Sequence, residues 1–88
     1  MITIPNTLLI ALNHMCSGTE MKIILAMLIC EPENITTKNM LDITGITHSN
    51  NYFRARKKLL DIGYLITNQD GIFVNTDKIL ADYALLTK

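Results

Sequence analysis

Two stretches of helical hydrophobic spacing flank Thr44-Gly45-Ile46, and no other feature of the 88-residue chain restricts its fold so tightly. Before the glycine, Thr36 or Thr37 offers a hydroxyl for a helix start, and Met40, Leu41 and Ile43 give the helix an apolar side. Gly45 takes the left-handed backbone that a sharp helix exit needs. Thr47 or Ser49 then caps a longer helix, predicted to reach about Ile62, in which Tyr52, Ala55, Leu59 and Ile62 form one core-facing stripe. Asn50, Arg54 and Lys57 fall on the opposite face. Two helices joined by so short a turn make a helix-turn-helix.

A chain of this length holds one core, so everything else must pack on that pair as a single domain over residues 1–88. Pro5 at a first helical position, followed by Leu8, Leu9, Leu12 and Met15, predicts an N-terminal helix ending around His14. Ser17-Gly18-Thr19-Glu20 has the form of a capping box, and the helix it opens runs to about Cys30, where Glu31-Pro32 stops it. From Met21 to Cys30 only Lys22 is polar, which predicts a central helix covered by other elements or, on one side, by a second subunit. That apolar run is far short of the roughly 20 residues a membrane span needs, so no membrane partner is expected.

Asn34-Ile35-Thr36 is predicted as a very short strand. Beyond Gly63, which ends the long helix, Tyr64-Leu65-Ile66-Thr67-Asn68 and Ile72-Phe73-Val74-Asn75 flank Asp70-Gly71, a strong hairpin signal, and this hairpin is the wing of the fold. Asn75 or Thr76 caps a last helix, about 76–87, with Ile79, Leu80, Tyr83 and Leu86 on one side and Lys78, Asp82 and Lys88 largely in solvent. The fold class is α+β, mainly α: helix, helix, short strand, helix, helix, hairpin, helix.

With 49% apolar and 18% charged residues the chain is a globule rather than a disordered tail. Its formal net charge of zero argues at first against a nucleic-acid partner. The distribution reverses that, because residues 36–60 hold Lys38, Arg54, Arg56, Lys57 and Lys58 against Asp42 alone, a net charge of +4. Cys16 and Cys30 are expected as reduced cytoplasmic thiols, since the first residues lack the charged start and the cleavage site of a secretory leader. His14, Cys16 and Cys30 follow no metal-ligand spacing, and neither a phosphate loop nor a paired-carboxylate motif is present. No enzymatic activity, metal or cofactor is expected.

The run Thr37-Lys38-Asn39-Met40-Leu41-Asp42-Ile43-Thr44-Gly45-Ile46 resembles winged helix-turn-helix domains, and so, more specifically, does the basic stretch from Asn50 to Leu65 that closes in Gly63-Tyr64-Leu65. Upstream, Ile4-Pro5-Asn6-Thr7-Leu8-Leu9 and Ser17-Gly18-Thr19-Glu20-Met21-Lys22 are similar to the N-terminal domain of phage replication protein O and related initiators. The resemblance covers residues 4 to about 76. It implies double-stranded DNA as ligand, with the third helix in the major groove. It also implies a homodimer through terminal helices, reading two half-sites, although the stripe of Tyr83 and Leu86 is more often packing within the chain than a dimer seam. Members of the family are repressors, replication initiators and relaxosome accessory proteins, so the fold alone does not choose among them, and it is the initiator-like start that makes an accessory of a plasmid or phage replication or transfer origin the expected role. Other proteins of such a complex are then possible partners, with transcription repression as one alternative and protein binding without DNA as another. Two departures stand out: the turn after Gly45 is one residue longer than the common pattern, and Arg56 takes a position where relatives have a core aliphatic.

On this reading Arg54 and Lys57 reach phosphate or the O6 and N7 acceptors of guanine, and Asn50 or Asn51 pairs with adenine. His48 and Ser49 at the helix start, and Lys38 on the preceding helix, are expected at phosphates, with Ser49 equally a simple cap. Lys58 lies between the core edge and the exposed face. Arg56 is expected along the edge with its stem buried. The wing tip holds no Arg or Lys, which leaves Asn68 and Gln69 as its hydrogen-bonding candidates. Phe53 and Leu60 are expected at the core edge.

Overall fold

Ser17 begins the helix on which most of the others pack. Its hydroxyl accepts from the Glu20 amide at 3.2 Å, and the Glu20 carboxylate accepts from the Ser17 amide at 2.8 Å, a complete capping box. The computed structural model describes residues 4–87, so Lys88 and the ends of the expected 1–88 domain lie outside the described residues. In it the N-terminal helix α1 is Asn6–Met15 and the capped helix α2 is Gly18–Ile29. Pro5 is the N-cap of α1 with extended backbone rather than its first helical residue, so the helix starts one residue later than expected, and Leu8, Ala11 and Leu12 are buried. Along α2, Ile23, Ile24, Ala26 and Met27 are buried, but Ile29 is 51% exposed. The covering of this helix therefore fails at its C-terminal end.

After α2, Pro32–Asn34 forms a single 3-10 turn, and the strand expected over Asn34-Ile35-Thr36 is absent. The local amides are taken by that turn: Asn34 donates to the Glu31 carbonyl at 2.9 Å and Ile35 to the Pro32 carbonyl at 3.2 Å. Helix α3, Thr37–Thr44, is capped by Thr36, whose hydroxyl accepts from the Asn39 amide at 3.2 Å. Met40 is buried, Leu41 half-buried and Ile43 exposed. Gly45 leaves α3 with φ 74°.

The long helix α4, Ser49–Ile62, follows three residues later. Its N-cap is His48, with no side-chain cap bond, so neither Thr47 nor Ser49 caps it and Ser49 is its first helical residue. Tyr52 and Leu59 are buried and Ala55 half-buried, whereas Ile62 is 40% exposed; the core stripe stops a turn short of Gly63, the αL C-cap with φ 87°. Leu60 sits at the core edge as expected, but Phe53 is 45% exposed.

Strands β1, Leu65–Asn68, and β2, Gly71–Val74, pair antiparallel with Leu65 opposite Val74 and Asn68 opposite Gly71. The turn residues are Gln69 and Asp70, one position earlier than the Asp70-Gly71 pair suggests. Among the described residues no non-glycine residue has positive φ, and the Asn68 side chain accepts from the Asp70 amide at 2.8 Å. Asn at the first and Gly at the fourth position suit an ordinary turn rather than its mirror image.

Asn75 caps the last helix, α5, Thr76–Leu86, by accepting from the Lys78 amide at 3.3 Å. Its amide side chain donates to the Gly63 carbonyl at 3.2 Å and its backbone amide to the Tyr64 carbonyl at 2.8 Å, which ties the end of α4 to the start of α5. Helix α5 packs along α1, while α2 carries α3, α4 and β2. Ile79 is buried and Leu80 and Tyr83 are half-buried, but Leu86 is 69% exposed and leaves the expected stripe. Lys78 and Asp82 are not simply solvated: they pair at 3.2 Å, and the Tyr64 hydroxyl donates to Asp82 at 2.9 Å.

Candidate nucleic-acid interface

Because Tyr52 and Leu59 turn inward, the helical period puts Asn50, Arg54, Lys57 and Asp61 on the outer side of α4, and all four are exposed. Among the described residues no carboxylate lies within salt-bridge distance of Arg54. Lys57 meets Asp61 one turn on at 3.3 Å, an exposed i,i+4 pair of the kind worth less than about 1 kcal/mol and readily exchanged for another anion. Lys38 is exposed in the first turn of α3, also without an ion pair among the described residues. His48 and Ser49 are exposed at the start of α4, where the lack of a side-chain cap leaves leading amides to an acceptor outside the chain.

The two asparagines left open by the sequence separate. Asn50 shares the outer face with Arg54, whereas Asn51 looks toward α2, where it lines a shallow groove with Thr19, Arg54 and Lys58. Lys58 is drawn away from the outer face: its ammonium lies 3.0 Å from the Glu20 carboxylate, which is only 5% exposed. Burial pushes the Glu20 carboxyl up, but the Ser17 amide and the Lys58 ammonium outweigh it and hold the group below the ordinary glutamate value. Arg56 is half-buried at the edge, as read from the sequence.

At the hairpin tip Asn68, Gln69 and Asp70 are all exposed, and the Asn68 side-chain oxygen is already occupied by the turn. Phe53 leans edge-on against Tyr52 with ring centroids 5.3 Å apart and presents its other side to solvent on the flank of α4, next to Lys57 in the helical order. Sequence spacing assigned it to the core edge. Glu20 was legible only as half of a capping box, since a partner 38 residues away leaves no trace in local spacing.

A second polar cluster lies away from α4. Burial and the hydrogen bond to Asp82 push the Tyr64 hydroxyl up to about 12, and the same bond with Lys78 holds Asp82 below its ordinary value. Burial and the charge of Glu20 push the Cys16 thiol up to about 11, so it is protonated at neutral pH and is a poor nucleophile. Among the described residues no three His, Cys, Asp or Glu side chains come together as a metal site, and no helix is long and apolar enough to cross a membrane. No family model, no curated protein and no solved structure matches the chain.

Proposed function

We propose that the chain is a winged helix-turn-helix domain that binds double-stranded DNA sequence-specifically, with α4 in the major groove and the β1-β2 hairpin as the wing. The observation that carries this is the outer face of α4, where Asn50, Arg54 and Lys57 stand together opposite the buried Tyr52 and Leu59. Arg54 suits the two acceptors of guanine and Asn50 the donor and acceptor of adenine. Lys38, His48, Ser49 and the uncapped start of α4 serve the phosphates on either side. The wing contributes through Gln69 and shape rather than charge, since its tip holds no cation. The domain acts as a cytoplasmic homodimer on paired half-sites, as an accessory at a plasmid or phage replication or transfer origin. Phe53, exposed on the flank of α4 beside this surface, favours a second reading in which it binds protein instead.

Fluorescence titration of labelled duplexes tests the proposal. Origin DNA of the parent element is expected to bind at least tenfold more tightly than random duplex at physiological salt; equal affinities overturn sequence specificity. With Lys38 and Lys57 on phosphates and Arg54 on guanine, the slope of log affinity against log salt is about −2 per protomer. Arg54→Ala with Lys57→Ala should weaken binding about 10- to 100-fold, and unchanged affinity and slope would remove α4 as the reading element. Genomic occupancy at an origin supports the accessory role, and occupancy over a promoter supports a repressor.

A further inference from the structure

Glu20 is the one charged side chain buried among the described residues, and both of its oxygens are engaged. Oε1 accepts from the Ser17 amide at 2.8 Å, which fixes it to the start of α2, and Oε2 faces the Lys58 ammonium of α4 at 3.0 Å. We infer that this ion pair sets how α4 is turned and seated against α2, which makes Glu20 and Lys58 positioning residues for the DNA-reading face and removes Lys58 from the DNA contacts. The inference rests on the DNA reading of α4.

Among the described residues the rest of the α2-α4 seam has no buried charge. Ile23, Ile24, Tyr52 and Leu59 are buried apolar packing, and such packing attracts without direction. A helix held by it alone is free to roll through small angles, and side chains as long as Arg54 magnify a roll at their tips. A buried carboxylate with one fixed oxygen adds direction, because displacement of Lys58 leaves a charge that is only 5% exposed without its partner. Lys58 stands one helical turn after Arg54, so a tie at Lys58 acts on the turn that carries the proposed base contact. The Lys58 side chain is 63% exposed, so it supplies little packing of its own.

Glu20→Gln, Lys58→Met and the double variant separate the roles, because glutamine keeps an oxygen for the Ser17 amide while removing the charge. Duplex binding is read over a range of salt, and unfolding by denaturant for each variant. A positioning pair predicts that each single variant loses about three- to tenfold in affinity with the salt slope unchanged, that the double variant loses no more, and that the two losses of stability are likewise non-additive. If Lys58 instead contacts phosphate, Lys58→Met flattens the slope by about 0.9 and Glu20→Gln leaves affinity equal or tighter, which overturns the inference. Additive effects on unfolding overturn it independently of DNA. Failure of the unaltered chain to bind any duplex overturns the DNA reading together with the binding role, and the unfolding cycle distinguishes that from failure of the tie.

Discussion

At Glu20 a single carboxylate caps one helix and meets the ammonium of another, and its protonation is therefore linked to stability. Its folded pKa lies below the ordinary value, so the stability it contributes is present above about pH 4.3 and is lost as pH falls through the lowered folded value. Glu20→Gln should remove part of the acid sensitivity, seen as a shallower fall of the urea midpoint between about pH 5 and 3; an unaltered fall would show the carboxylate unimportant. Cys16, whose thiol is raised from 9.0 to about 11, should alkylate about 100-fold more slowly in the folded chain than in urea at pH 8, measured by mass spectrometry. Residue identity indicated a capping box and a basic stretch but gave no hint that Lys58 belongs to the former. Pairing across 38 residues depends on how α2 and α4 pack, and no local spacing encodes that.

Among the elements, the capping residues were the most legible because their chemistry is local. Ser17, Gly45 and Gly63 act as their types and positions indicate. Gly45→Ala and Gly63→Ala should each cost about 1–2 kcal/mol in chemical denaturation, since both need positive φ. The added methyl meets open space at the first and only the far end of the Lys78 side chain at the second, so the backbone decides both. Asn75→Ala should cost about 1–2 kcal/mol by removing the α5 cap and the bond to the Gly63 carbonyl, and a change below about 0.5 kcal/mol would show that the tie between α4 and α5 is weak. Less legible were the ends of elements. Ile62 and Leu86 continue apolar stripes by spacing yet lie where no further element covers them, and Asn34-Ile35-Thr36 has strand-forming residues but turn-satisfied amides. Periodicity identifies the face of a helix; it does not reveal how far along that face the neighbours reach.

For the whole molecule, zero net charge and a +4 stretch are reconciled by where the charges stand. Lys58 and Lys78 are engaged with carboxylates of neighbouring packing sites, and the outward cations of the proposed interface reduce to Lys38, Arg54 and Lys57. On the proposed reading, so small a set would give a single protomer weak salt-dependent affinity and make two half-sites the natural means of binding tightly. Leu85 and Leu86 are exposed at the end of α5, which packs along α1, and the proposed homodimer would pair through that side. The most direct test of α4 as the DNA-reading helix is a backbone amide shift map during titration with a short duplex. The expected result is a set of the largest shifts over residues 47–58 and at Lys38, smaller ones at Gln69, and few along α1 and α5. Shifts confined to α1 and α5, or none at saturating DNA, would contradict it.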